Sequence, residues 1–197
     1  MTMLKPTKPD LILDGAIAEF LERGYAAASM DRIAARAGVS KATVYSHFQS
    51  KENLFVALIE RLVKSKFLVL LEPGQIEAVV DVPPDVFLRE LATKILEQPS
   101  NDPDLTNFMR MVVGESGRFP ELAKAFVSAL TATGLRSLTF YFKACPHLEI
   151  ADPEATARVF VGAIAHFIIT QHILYGAEII PMAEERLINT LVDLITG

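Results

Sequence analysis

Apolar residues recur along most of the chain at intervals of three and four positions, the spacing of one face of an α-helix. In the first such stretch, Ile12, Ala16 and Phe20 form an apolar stripe. Gly24 is placed to end this helix, because glycine adopts the left-handed backbone of a helix terminus at little cost. Runs that alternate apolar and polar residues, which would predict half-buried strands, are scarce. The pattern therefore predicts an all-α protein of about nine helices.

Serine, glycine and proline mark where these helices begin and end, and Ser29, Ser40 and Ser50 are predicted N-caps. The dipeptide Pro73-Gly74 predicts a break after the fourth helix. The predicted helices lie at about residues 10–23, 30–37, 41–48, 51–71, 85–97, 104–115, 120–143, 152–175 and 182–196. No motif for a nucleotide, a metal or a nucleophilic serine is present, so we expect no catalytic residue, no metal ion and no cofactor.

The second and third helices are short and are joined by a tight turn at Gly38. Small Ala34 on the inner face of the second helix allows close approach of Val44 on the inner face of the third. This is a helix-turn-helix pattern, in which the second helix of the pair enters the major groove of DNA. Capped helix pairs also occur in proteins that never contact DNA, so the turn alone does not decide the function.

The outward face of the third helix is the more informative feature, because no acidic residue occurs from Ser40 to Ser50. Thr43 and His47 are candidates to read base edges, and Ala42 is a candidate to contact a thymine methyl group. Hydroxyl and ammonium groups that suit phosphates belong to Ser29, Ser40, Lys41, Tyr45 and Lys51.

Residues 10–55 resemble the N-terminal DNA-binding domain of the TetR family of bacterial transcriptional regulators. The residues that carry this resemblance are Ala16, Phe20, Gly24-Tyr25, Ser29-Met-Asp-Arg-Ile-Ala, Ala37-Gly-Val-Ser-Lys, Thr43-Val-Tyr, His47-Phe, Ser50-Lys-Glu and Leu54. The resemblance implies a homodimer on a pseudo-palindromic operator. It assigns DNA contacts to Ser29, Ser40, Lys41, Ala42, Thr43, Tyr45, His47 and Lys51. Ala42 departs from the family pattern, since many members have glycine there.

Residues 113–126 and 152–158 resemble the C-terminal domain of AefR-like and AcrR-like members of the same family. This implies a domain that dimerises and encloses a small-molecule pocket, whose occupant loosens DNA binding. We therefore expect a helix-turn-helix domain over residues 1–50 and a helical ligand-binding and dimerisation domain over residues 51–197. Repression is the family norm, and the effector is expected to be lipophilic.

Candidate pocket residues combine apolar side chains with a few polar ones, as ligand sites do. They are Phe108, Met109, Val112, Phe126, Leu130, Phe167 and Gln171, with Glu115, His166 and Tyr175 as polar anchors. The alternative is that they form an ordinary core. The candidate dimer surface comprises Val159, Ala163, Ile169, Ile173, Leu187, Leu191 and Leu194. These residues are alternatively explained by packing within one subunit.

The formal net charge of −5 taken alone argues against a nucleic-acid partner. However, residues 1–66 hold 10 Lys and Arg against 7 Asp and Glu, a net of +3, whereas residues 67–197 hold 9 against 17, a net of −8. This split predicts a basic head on an acidic body, with the DNA affinity located in the head.

Two other functions compete with DNA binding. An all-α enzyme is supported only by scattered Glu115, His166 and His172, and a helical module that binds only protein leaves the acid-free face unexplained. A single cysteine, Cys145, excludes an intramolecular disulfide framework. The sequence has no visible signal peptide, and its longest apolar stretch, residues 159–169, is shorter than the roughly 20 residues of a membrane span. We therefore expect a cytoplasmic protein without a membrane partner.

Overall fold

The computed structural model describes residues 6–66 and 79–197. These residues form nine helices and no strand, which confirms the predicted all-α fold. The helices are α1 (Lys8–Ala27), α2 (Met30–Ala37), α3 (Lys41–Phe48), α4 (Lys51–Lys66), α5 (Pro84–Leu96), α6 (Pro103–Glu115), α7 (residues 120–144), α8 (residues 153–173) and α9 (Glu184–Thr196). A single helical turn (Gln98–Asn101) precedes α6, and a 3-10 turn (Gly176–Glu178) follows α8.

The helix boundaries follow from local chemistry. Thr7 and Asp10 form a capping box that starts α1 two residues earlier than predicted, and α1 is kinked at Gly24, where φ is 73°. Asp152 caps α8 by accepting a hydrogen bond from the backbone N–H of Ala155. The predicted extension of α4 to residue 71 and the predicted break at Pro73-Gly74 lie outside the described residues.

Two helices contain a segment that the sequence does not predict. Residues Val127–Ala132 of α7 and Ile168–Ile173 of α8 are π-helical. A π-helical turn widens the helix by one residue per turn and is found frequently at functional sites. Each segment also holds one predicted pocket residue, Leu130 and Gln171 respectively.

The chain divides into two compact units. Unit 1 comprises residues 1–62 and 107–127, and unit 2 comprises residues 63–106 and 128–197. The predicted domain boundary at residue 50 therefore falls inside unit 1. No helix within the described residues is long and apolar enough to cross a bilayer.

Aromatic rings form the centre of unit 1. The ring of Phe55 on α4 lies 5.4 Å from that of Phe20, 5.2 Å from that of Tyr25 and 5.3 Å from that of Phe108. Phe119 packs edge-on against Tyr25 at 5.0 Å. These rings connect α1 and α4 to the segment 107–127, which is distant in sequence, so that segment is part of the core beneath the helix-turn-helix.

Close packing of α1 on α2 depends on Gly15. A Cβ atom at this position would stand 3.1 Å from both the Ile33 carbonyl oxygen and the Ala37 backbone nitrogen. Because both of these are backbone atoms of α2, a side chain at residue 15 would push the two helices apart. In unit 2, α5 packs on α9, and the second part of α7 packs on α8.

Candidate nucleic-acid interface

Helices α2 and α3 form the predicted helix-turn-helix. The Ser29 side chain caps α2 by accepting a hydrogen bond from the Arg32 backbone N–H. α2 ends at Gly38, whose φ of 65° is the left-handed conformation that favours glycine. The Val39 N–H donates to the Ala34 carbonyl at 3.1 Å, which closes the turn. These local bonds fix the direction in which α3 leaves α2.

The start of α3 is organised by two hydroxyl groups. Ser40 Oγ accepts a hydrogen bond from the Thr43 backbone N–H at 3.1 Å, and the two side-chain oxygens lie 2.8 Å apart. Thr43 is half-buried, and Val44 on the opposite face of α3 is fully buried. The N-cap thus anchors the end of α3 that a recognition helix presents to DNA.

The remaining predicted contact residues of α3 point into solvent. Tyr45 is 48% exposed, and Lys41, Ala42 and His47 are exposed as well. The exposed face therefore brings together ammonium, hydroxyl and imidazole groups over two helical turns. Such groups donate hydrogen bonds to phosphate oxygens and to base edges.

Acidic side chains of α1 and α2 form ion pairs with most of the arginine and lysine side chains near the helix-turn-helix. Glu19 is fully buried and accepts hydrogen bonds from the guanidinium groups of Arg32 and Arg36. Burial raises the pKa of the Glu19 carboxyl, but these two hydrogen bonds outweigh it and hold the pKa below its ordinary value. Lys41 on the exposed face pairs with Asp31 of α2. The sequence analysis did not single out Glu19. Its position three residues after Ala16 and next to Phe20 places it within the apolar stripe of α1, where a carboxylate is unexpected.

Lys51 is held differently from the other predicted contacts. Its ammonium group donates hydrogen bonds to the carbonyl oxygens of Tyr25, Ala26 and Ala28, and it lies 4.5 Å from the centre of the Tyr25 ring. Burial lowers the pKa of this ammonium. Lys51 therefore ties the start of α4 to the carbonyl end of α1, and its predicted phosphate contact stays a prediction.

The predicted pocket residues are divided between the two units. In unit 1, Phe108 and Val112 are buried, whereas Met109, Glu115 and Phe126 are half-buried. In unit 2, Phe167 and Gln171 are buried, Leu130 is half-buried, and His166 and Tyr175 are exposed. The Gln171 amide donates to the Ile180 carbonyl at 3.0 Å. Among the described residues, no three His, Cys, Asp or Glu side chains are grouped as a metal site would require.

Two family models match the chain. The model described as "Bacterial regulatory proteins, tetR family" matches residues 12–58, and the model described as "AefR-like transcriptional repressor, C-terminal domain" matches residues 86–196. The first covers the helix-turn-helix and its supporting helices. The second covers α5 to α9.

Individual proteins show the same similarity. The HTH-type transcriptional activator FasR of Mycolicibacterium smegmatis is 52% identical over 52 residues, which are 26% of this chain and 24% of FasR. The chain spans less than two thirds of the length of the curated relatives it matches. The solved structure of the flavonoid-responsive regulator FrrA is 31% identical, with 94% of this chain and 91% of FrrA covered and a TM-score of 0.65. A TetR-family regulator structure from Mesorhizobium loti shares the fold at a TM-score of 0.74 and 22% identity, with 95% and 94% covered.

Proposed function

Because the chain belongs to the tetR family of bacterial regulatory proteins, we propose that it is a ligand-responsive transcriptional repressor. It binds a pseudo-palindromic DNA operator in the cytoplasm as a homodimer, and a small lipophilic effector releases it. The observation that carries this proposal is the exposed, acid-free face of α3 at the end of a capped helix-turn-helix. The members of the family are transcriptional regulators, and FasR, an activator by name, differs from the repressors in the sign of the response.

Each predicted DNA contact has a proposed role. Thr43 and His47 read base edges, and the Ala42 methyl group contacts a thymine methyl. Ser29, Ser40, Lys41, Tyr45 and Lys51 contact phosphates and thereby set the register of the head on the duplex. Lys51 must release at least one of the three carbonyl groups that it holds at the end of α1 to make this contact, and its removal also loosens the head.

Substitutions on α3 test this assignment of roles. We expect Tyr45→Ala to weaken binding to all duplexes alike, because a phosphate contact carries no sequence information. Thr43→Ala and His47→Ala should instead change the ranking of single-base operator variants by about 1–3 kcal/mol at one position each. The measurement is fluorescence anisotropy on a library of variants of the DNA upstream of the gene. Unchanged rankings would contradict the base-reading roles, and salt-insensitive binding would contradict the proposed function.

Removal of the Asp31 carboxylate, which pairs with Lys41, should strengthen DNA binding instead of weakening it. Asp31→Asn should tighten binding to any duplex by up to about fivefold at low salt, because an exposed ion pair that competes with phosphate is worth ~0.2–1 kcal/mol. Titration of the affinity against salt measures this effect. The double variant Asp31→Asn/Lys41→Ala is the matched control. If it retains the gain, the effect comes from long-range charge and not from the release of Lys41.

Apolar residues on the surface of unit 2 support the proposed homodimer. Val159 on α8 and Leu194 on α9 are 60% and 78% exposed, and Ile169 is exposed too. Two-fold pairing of α8 and α9 would cover these residues in a four-helix bundle. Ile173 and Leu191, which the sequence also assigned to this surface, are buried within the subunit. Ala163 and Leu187, the other two residues of the predicted surface, are half-buried.

We propose that the effector releases the protein from DNA by shifting the population from a DNA-competent to a DNA-incompetent arrangement. The effector must bind the DNA-incompetent arrangement better than the competent one, since otherwise it shifts nothing. A displacement of α4 would then change the separation of the two heads, which must fit successive major grooves. The similarity to FrrA, which is described as flavonoid-responsive, supports an aromatic effector. The ten pocket residues predicted from the sequence remain candidates for its binding.

A further inference from the structure

The ammonium group of Lys51 uses all three of its hydrogens within unit 1. It donates to the carbonyl oxygens of Tyr25, Ala26 and Ala28 at 2.8, 3.3 and 3.1 Å, and an ammonium group carries three N–H donors. The Tyr25 ring adds a cation–π contact, with its centre 4.5 Å from the same nitrogen. A phosphate contact by Lys51 therefore requires that these three carbonyl groups, which we call the carbonyl cluster, release the ammonium group at least in part.

The Tyr25 side chain fixes the position of the carbonyl cluster. It is 1% exposed, and its hydroxyl donates to Glu52 at 3.2 Å. Its ring packs against the rings of Phe20, Phe55 and Phe119, whose centres lie 5.6, 5.2 and 5.0 Å away. Because this ring and one carbonyl group of the cluster belong to the same residue, a shift of the backbone at the end of α1 has to carry the buried ring with it.

Phe119 differs from the other two rings because it comes from the segment 107–127 and not from α1 or α4. It is half-buried, and its N–H donates to the Glu115 carbonyl at 2.8 Å, which closes the turn after α6. The Glu115 side chain also lies near the end of α1, since its Oε1 is 3.7 Å from the place that a Cβ atom on Gly24 would take. The turn after α6 thus packs on the residues that hold the ammonium group.

We propose that Phe119 is the residue through which the segment 107–127 controls whether Lys51 is able to bind DNA. While the Phe119 ring packs on Tyr25, the carbonyl cluster retains the ammonium group. When the ring withdraws, the cluster loosens and Lys51 donates to a DNA phosphate instead. This inference rests on the proposed function, in which Lys51 contacts phosphate.

The chain itself connects Phe119 to unit 2. The segment 107–127 enters unit 1 from unit 2 and returns to unit 2 at residue 128. A displacement within unit 2 therefore reaches Phe119 through covalent bonds at both ends of the segment. An effector that keeps the Phe119 ring on Tyr25 retains Lys51 in the carbonyl cluster and lowers the DNA affinity, which is the sign of response that a repressor requires.

A double-mutant cycle on DNA affinity is the first test. Phe119→Leu should tighten binding to any duplex about two- to twelvefold, the factor that an edge-on aromatic pair contributes. In the background of Lys51→Met the same substitution should leave the affinity unchanged, because no ammonium group remains to be released. Phe119→Tyr keeps the ring and should bind DNA as wild type does. Fluorescence anisotropy on the DNA upstream of the gene measures all of these affinities.

Nuclear magnetic resonance of the full chain without DNA is the second test. Ammonium hydrogens that are held by three acceptors exchange slowly with water, so wild type should show a proton–nitrogen signal from Lys51, identified by its loss in Lys51→Met. Phe119→Tyr should keep this signal and Phe119→Leu should lose it. Addition of the upstream DNA to wild type should shift the signal. The wild-type spectra test the capture and its release even if a variant does not fold.

Leu58→Ala is the matched control for loss of stability. Leu58 is fully buried on α4, about two helical turns after Lys51, so its truncation should lower the thermal midpoint of the same unit. Because the rings around Tyr25 stay in place, this variant should neither bind DNA more tightly nor lose the Lys51 signal.

Three results overturn the proposal: a gain of affinity that persists with Lys51→Met, no gain in a folded Phe119→Leu, or a wild-type protein without the Lys51 signal. Salt-sensitive binding of wild type to its upstream DNA separates this failure from that of the proposed function. A protein that binds in this way and gives one of the three results is a DNA-binding regulator without the Phe119 switch.

Discussion

Glutamate at both Val159 and Leu194 will convert the protein into a monomer and weaken its binding to a two-site operator by at least 100-fold. Each side chain is exposed in the subunit, so the substitutions leave its core intact. In a two-fold interface every substitution occurs twice, and four carboxylates would be desolvated without partners. A single head retains only its own phosphate and base contacts, because the second head no longer binds as part of the same molecule.

Sedimentation velocity and operator titration measure the two effects. Val86→Glu on α5 is the matched control, since Val86 is also an exposed valine of unit 2 and lies outside the proposed surface. This variant should remain dimeric and keep full affinity. A double glutamate variant that stays dimeric would show that α8 and α9 pair through other residues or not at all.

Replacement of Glu19 by glutamine will destabilise the protein by about 2–3 kcal/mol at neutral pH. The carboxylate is fully buried and receives hydrogen bonds from Arg32 and Arg36, and such charge-assisted bonds contribute ~1.5–3 kcal/mol each. The arginines are partly exposed and recover water when the carboxylate is lost, which keeps the cost below the sum. DNA affinity should fall as well, because Glu19 fixes α2 on α1 and thereby orients α3.

This destabilisation should itself depend on pH. The pKa of Glu19 is lowered in the folded state from an unfolded value of 4.5, so its stabilising contribution is present above pH 4.5 and is lost as the pH falls through the folded pKa. The difference in unfolding free energy between wild type and Glu19→Gln must therefore shrink in acid. Urea unfolding at pH 7 and below pH 4.5 measures it. Glu22→Gln, which removes an exposed partner of Arg36, should cost less than about 1 kcal/mol. Equal stability of Glu19→Gln and wild type at pH 7 would refute the role of this carboxylate.

The sequence predicts the helices well because their ends are decided locally. Ser29, Ser40, Gly24 and Gly38 act at their own positions through one side-chain hydrogen bond or one backbone angle. Helix boundaries therefore agree with the structure to within about two residues across most of the described chain. The exposed face of α3 was predictable for the same reason, since the face follows from helical period alone.

Features that depend on distant parts of the chain were not predictable. The capture of the Lys51 ammonium by three carbonyl groups requires the end of α1 to lie beside the start of α4. The buried Glu19 requires arginines from α2. The π-helical segments are not marked by any change in composition.

The aromatic core of unit 1 also limits how such regulators can be recombined. Phe55 and Tyr25 belong to the N-terminal residues, whereas their neighbours Phe108 and Phe119 come from the segment 107–127. A chimera that grafts only residues 1–62 onto another regulator would pair these rings with foreign neighbours and leave the new head poorly supported. A head designed for exchange must carry residues 107–127 with it, so the transferable DNA-reading module of this protein is discontinuous in its gene.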